Sequence, residues 1–102
     1  ILINAELKGA DLNHAQLREA DLRGADLRNA DLSYANLRYA KLIGANLDGA
    51  NLEGADLLYA DLSSARLNET VLCNADLRFS NLKKENHTSI FSFICGRKMK
   101  NE

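Results

Sequence analysis

Leucine stands at every fifth position from Leu2 to Leu82, seventeen times without interruption. No other feature of the chain restricts its fold as much. Five residues of α-helix turn through about 500°, so successive leucines would rotate by about 140° and scatter round the cylinder. In a continuous strand an odd period sends alternate leucines to opposite faces. The chain must therefore change direction inside every repeat. One short extended side and one corner per five residues does so. Four such units close a square coil of twenty residues, and coils stack at the inter-strand spacing of about 4.8 Å.

The other repeat positions fit this geometry. The residue two before each leucine is alanine in fourteen of sixteen cases, the exceptions being Thr70 and Ser80. Only a small side chain fits beside four leucines converging on one axis. Five of the six glycines (Gly9, Gly24, Gly44, Gly49, Gly54) fall two residues after a leucine, as do Asn4, Asn29 and Asn74. With leucine first in a four-residue turn, this slot is the third turn position, where a type II turn needs positive φ. Tyr34, Tyr39, Tyr59 and Phe79 occupy the same slot, and their bulk predicts a different turn at those corners. The residue just before leucine is Asp or Asn in eleven of seventeen cases. Its oxygen is placed to accept a nearby backbone N–H.

Tandem A(D/N)Lxx, as in "ADLRG", "ADLRN", "ANLDG", "ANLEG" and "ADLSS", resembles the pentapeptide repeat family over residues 1 to about 84. The resemblance implies an all-β solenoid, a right-handed quadrilateral β-helix with leucine and alanine inside. About four 20-residue coils are expected here. The family is widespread in bacteria, especially cyanobacteria. Its best-understood members mimic DNA and bind DNA gyrase.

Residues twenty apart stack in columns on the outer faces. The column after Leu17, Leu37, Leu57 and Leu77 reads Arg18, Arg38, Leu58, Arg78, and the next reads Glu19, Tyr39, Tyr59, Phe79. Stacked rings beside arginines make an adhesive surface, or they serve only to stabilise the ladder. Arg38, Tyr39, Leu58, Tyr59, Arg78 and Phe79 form the candidate protein-interaction face. The face of Leu12, Leu32, Leu52 and Leu72 carries Asp11, Asp31 and Glu53 without a basic residue. Reducing like charges within a column, as Asn51 does, relieves repulsion without changing shape.

The repeat stops after Leu82, which predicts a β-helix over 1–84 and a tail over 85–102. Ile90, Phe91, Phe93 and Ile94 share one side of a helical wheel. Asn86, Thr88 or Ser89 can start a helix there, and Gly96, Arg97 and Lys98 suit its end. The expectation is a short capping helix near 88–95. The same residues also alternate as a strand would, and basic flanks suit a membrane-surface or partner-binding segment. "ILINAEL" shows no cap, so the first coil offers a surface for an end-to-end homodimer, or the chain is a piece of a longer repeat protein.

The residues for catalysis are missing from this pattern. His14 and Cys73 are coils apart, and His87 and Cys95 lie in the tail, so no metal-ligand cluster forms. Buried or free thiols are the expectation for Cys73 and Cys95, with a Cys73–Cys95 disulfide as the alternative if the tail folds back over the last coil. No phosphate-binding glycine motif appears, and a filled solenoid lacks the concave pocket of an enzyme. No cofactor and no enzymatic activity are expected. The net charge of −1 announces no direct nucleic-acid contact. No apolar run reaches the ~18 residues of a membrane span, and no signal peptide is visible, which reads as cytoplasmic. The leading reading is a non-catalytic scaffold that binds a protein partner through an outer face. The alternatives are a DNA-mimicking gyrase regulator and a spacer within a larger repeat protein. Mimicry calls for a strongly negative, longer rod, and this sequence supplies neither.

Overall fold

The structure, a computed structural model, describes residues 1–82. They wind as four stacked coils: coil 1 (1–20), coil 2 (21–40), coil 3 (41–60) and coil 4 (61–80). Parallel bridges join residues twenty apart, among them Asp26 with Asn46, Asn36 with Asp56 and Asp61 with Asn81. The predicted side-and-corner unit and its twenty-residue register are therefore present.

Backbone hydrogen bonding explains why so short a side holds its place. The Leu27 N–H donates to Asn46 C=O in the next coil at 2.8 Å. The Asp26 N–H donates to Ala5 C=O in the previous coil at 2.9 Å. Within each corner the N–H of the alanine slot donates to the leucine carbonyl three residues earlier, from Ala5 to Leu2 through Ser80 to Leu77. Buried backbone groups thus find partners without a regular strand of conventional length.

All sixteen corners from Asn4 to Phe79 have positive φ at the third turn position. This corrects the expectation that bulky corners use another turn: Tyr34, Tyr39, Tyr59 and Phe79 lie at 59° to 61°, in the left-handed region. The stacking of the next coil fixes the corner path. A side chain that projects outward meets no steric objection beyond the backbone penalty.

The Asp or Asn before each leucine has the structural role its chemistry suggests. In ten repeats its Oδ1 accepts the backbone N–H two residues on, from Asn13 onto Asp11 to Arg78 onto Asp76. Only Asn81 is left out of this set, and its counterpart would be residue 83. These side-chain bonds fix the entry to each turn.

The interior is a column of leucines and alanines. Leu22 through Leu67 are at most 2 % exposed at every fifth position, and Ala25 through Ala60 are as deeply buried. Leu2, Leu7, Leu12 and Leu17 are only partly buried, with a coil on one side. Thr70 takes an alanine slot and is fully buried, its hydroxyl donating to Leu47 C=O at 2.8 Å. The expected helix near 88–95, the rest of segment 85–102, Lys83, Lys84 and the Cys95 end of the Cys73–Cys95 pairing lie outside the described residues.

Candidate functional site

The corner turn aims every third turn residue outward, and the twenty-residue register sets these residues one above another. Tyr39, Tyr59 and Phe79 therefore form a continuous stack. Ring centroids are 5.2 Å apart between Tyr39 and Tyr59, with 6° between planes. They are 5.1 Å apart between Tyr59 and Phe79, with 14° between planes. The rings remain 44 %, 48 % and 71 % exposed respectively. At the coil 1 end, the Arg18 guanidinium carbon sits over Tyr39, 5.1 Å from its centroid. A cation on a ring face is an attractive arrangement.

The other three candidates flank this ridge. Arg38 Nε contacts Asp56 Oδ2 at 2.6 Å. Arg78 folds back on Asp76 in a two-bond fork, Nε to Oδ1 at 2.9 Å and Nη2 to Oδ2 at 2.7 Å. Leu58 is half-buried between them in its column. Both arginines are thus held in place beside the rings by carboxylates that sequence reading had left out of the site.

A second, shorter stack stands on the neighbouring corner. The rings of His14 and Tyr34 lie 5.3 Å apart with 17° between planes. Tyr34 leans over Gly54, where an added Cβ would run into the ring, and its hydroxyl reaches Glu53 Oε2 at 3.4 Å. The signal for this pair was the twenty-residue spacing of His14, Tyr34 and Gly54. Arg18 was equally legible in the column facing the rings.

Charge on the rod is locally compensated. Asp21, Asp26 and Asp76 each bind the arginine two residues on, Arg23, Arg28 and Arg78. These hydrogen bonds hold all three carboxyls down at about 2, from an ordinary 3.8. Ser33 lowers Asp31 in the same way, through its hydroxyl first and its backbone N–H second. Arg66 pairs with Asp48 at 2.9 Å. Among the described residues no group of His, Cys, Asp and Glu is placed to hold a metal ion. No described helix is long and apolar enough to cross a membrane.

The pentapeptide repeats family model matches residues 1–33, 30–68 and 59–84, in eight copies. No curated protein matches the chain. Among solved structures, the chain is similar to the pentapeptide repeat protein Rfr23 of the cyanobacterium Cyanothece 51142. The two are 41 % identical over 78 % of this chain and 54 % of that one, with a TM-score of 0.78. It is also similar to the pentapeptide repeat protein alr5209 of Nostoc PCC 7120, at 35 % identity over 93 % and 84 % of the two chains and a TM-score of 0.75. A pentapeptide repeat protein of the Arabidopsis thaliana thylakoid lumen follows at 25 % identity, covering 94 % and 81 %, with a TM-score of 0.53. The chain spans about half the length of Rfr23. Repeat, register and relatives agree: this chain belongs to the pentapeptide repeat family, whose members form right-handed quadrilateral β-helices.

Proposed function

We propose that the chain is a non-catalytic scaffold that binds a protein partner through the face bearing Arg38, Tyr39, Leu58, Tyr59, Arg78 and Phe79. The observation that carries this reading is the exposed ring stack, Tyr39 to Tyr59 to Phe79, at 5.1 to 5.2 Å spacing. A stack on a rigid coil has little conformational entropy left to lose on association. Aromatic and arginine side chains are the residue types that dominate binding hot spots. The ridge also stabilises the ladder, and the two roles are compatible.

Gyrase binding by DNA mimicry finds less support. Between Ile1 and Leu82, eight basic and twelve acidic side chains leave a charge of −4. Five of those carboxylates, on Asp21, Asp26, Asp48, Asp56 and Asp76, sit in ion pairs with arginines. Such a surface lacks the dense uncompensated charge of a DNA backbone. An affinity pull-down comparing the wild-type chain with its Tyr39→Ala/Tyr59→Ala/Phe79→Ala variant tests the proposal, once circular dichroism shows both folded. A protein retained by the first and lost by the second is the expected result. Equal capture by both would remove the ridge from the binding surface.

A further inference from the structure

Arg38 is gripped at a single nitrogen. Its Nε donates to Asp56 Oδ2 at 2.6 Å, and among the described residues neither of its Nη groups meets an acceptor. Arg23, Arg28 and Arg78 differ, since each sets both Nε and Nη2 on the two oxygens of one aspartate. Arg38 stands in the body of the wall, with Arg18 before it and Leu58 after it in the column. Arg18 rests on the Tyr39 ring. Of the six arginines in residues 1–82, it is the one with no ion pair among the described residues. We propose that Arg38 and Arg18 form a carboxylate-recognition site beside the ridge, which takes an acidic side chain of the partner. The inference rests on the protein-binding role proposed above and names the partner's chemistry.

Three observations favour an acidic segment. Asp56 fixes the plane of the Arg38 guanidinium through Nε and leaves its terminal pair of Nη groups, the end-on fork that matches a carboxylate. The wall also changes sign along the rod. In coils 1 and 2 the column before the leucines holds the neutral Gln16 and Asn36, whose amides pair at 3.3 Å. In coils 3 and 4 the same column holds Asp56 and Asp76. Residues 16–20 and 36–40 therefore carry two arginines against Glu19, for +1, while residues 56–60 and 76–80 carry Arg78 against two aspartates, for −1. Finally, Arg18 and Arg38 are like charges in neighbouring coils, an unfavourable pairing that an acid between them relieves. The −4 of residues 1–82 acts over longer distances and is screened beyond about 8 Å at physiological salt, so the local pair meets the partner's side chain.

The test uses the full chain and two labelled hexapeptides that differ only in two glutamates against two glutamines. Fluorescence anisotropy gives the two dissociation constants. The glutamate peptide is expected to bind about two- to fivefold more tightly, the range of an exposed ion pair. Arg38→Gln should bring the ratio to about one, and Arg18→Gln should lower it in part. Arg38→Lys keeps the charge without the fork and should also fall below the wild-type ratio. Asn36→Asp keeps the guanidinium but draws it into a same-repeat fork, so it too should lower the ratio. Arg23→Gln removes the same charge from another wall and should leave the ratio unchanged. A wild-type ratio of one, no measurable binding of the glutamate peptide, or equal losses in Arg38→Gln and Arg23→Gln overturns the inference. If the ratio is one and the triple-alanine variant still loses its partner, the binding ridge stands and only its acid chemistry fails. If the triple variant keeps the partner, the ridge itself fails and the inference with it.

Discussion

Arg38 reaches across to the next coil, where its Nε donates to Asp56 Oδ2 at 2.6 Å. Arg23, Arg28 and Arg78 instead turn back on the aspartate two residues earlier in their own repeats. The difference traces to one atom. Asn36 precedes Leu37 where the other three repeats have aspartate, and a neutral amide does not hold a guanidinium. Of the two arginines that flank the ridge, Arg38 is therefore tied to a neighbouring coil, while Arg78 stays within its own repeat.

Exchanging that amide for a carboxylate should redirect the arginine. In Asn36→Asp, Arg38 is expected to form the same-repeat fork seen at Arg78, leaving Asp56 to accept only the Leu58 N–H. A crystal structure of the variant shows the new pairing. Stability should change by less than about 1 kcal/mol, since exposed ion pairs contribute little net energy.

Acid should loosen the rod within a defined window. The carboxyls of Asp21, Asp26 and Asp76 are lowered from 3.8 to about 2 in the folded chain. A depressed folded value stabilises the fold above the unfolded value, and the gain is lost as pH falls through the folded one. Melting temperature followed by circular dichroism should be flat in these groups down to about pH 5, then fall between about pH 4 and pH 2. Asp26→Asn should make that fall shallower, because its amide oxygen still accepts the Arg28 N–H while one titrating group is gone.

Two corner glycines should respond differently to alanine. Gly44, at φ 70°, has nothing near an added Cβ, so Gly44→Ala meets the left-handed backbone penalty alone, about 1–2 kcal/mol. Gly54, at φ 65°, has the Tyr34 ring where the Cβ would stand. Gly54→Ala must add displacement of Tyr34 from its stack with His14. Urea unfolding of the two variants should show the larger loss at Gly54.

In the core, Leu47→Ala should cost about 2–5 kcal/mol in the same experiment. Leu47 is fully buried, and coils above and below cannot close round the void without breaking register. Thr70→Ala should cost far less. The Leu47 carbonyl that accepts the Thr70 hydroxyl also accepts the Ala50 N–H at 2.9 Å, so it keeps a partner.

The coil was legible because one residue type, leucine, marks the phase without a break, and phase alone sets the register. The structural part of the Asp/Asn slot was legible for the same reason: a short carbonyl side chain beside a turn has few other roles. The corner conformation at Tyr39 and Phe79 was not. Local preference argued against positive φ for an aromatic, and the constraint that overrides it comes from coils twenty residues away. The ridge was visible as a column, but its end was not. That Arg18 rather than Glu19 meets Tyr39 depends on which way a long side chain leans between coils. The pairing of Arg38 with Asp56 is likewise a choice between two carboxylate geometries that spacing does not rank.

The most direct test of the binding ridge places a photo-crosslinker, p-benzoylphenylalanine, at Tyr59 in one variant and at Glu69, on the opposite corner, in another. After irradiation in lysate, the ridge predicts one discrete crosslinked protein from position 59, none from position 69, and loss of the product when Tyr39 and Phe79 are also alanine. The same product from both positions, or none from position 59, would contradict it.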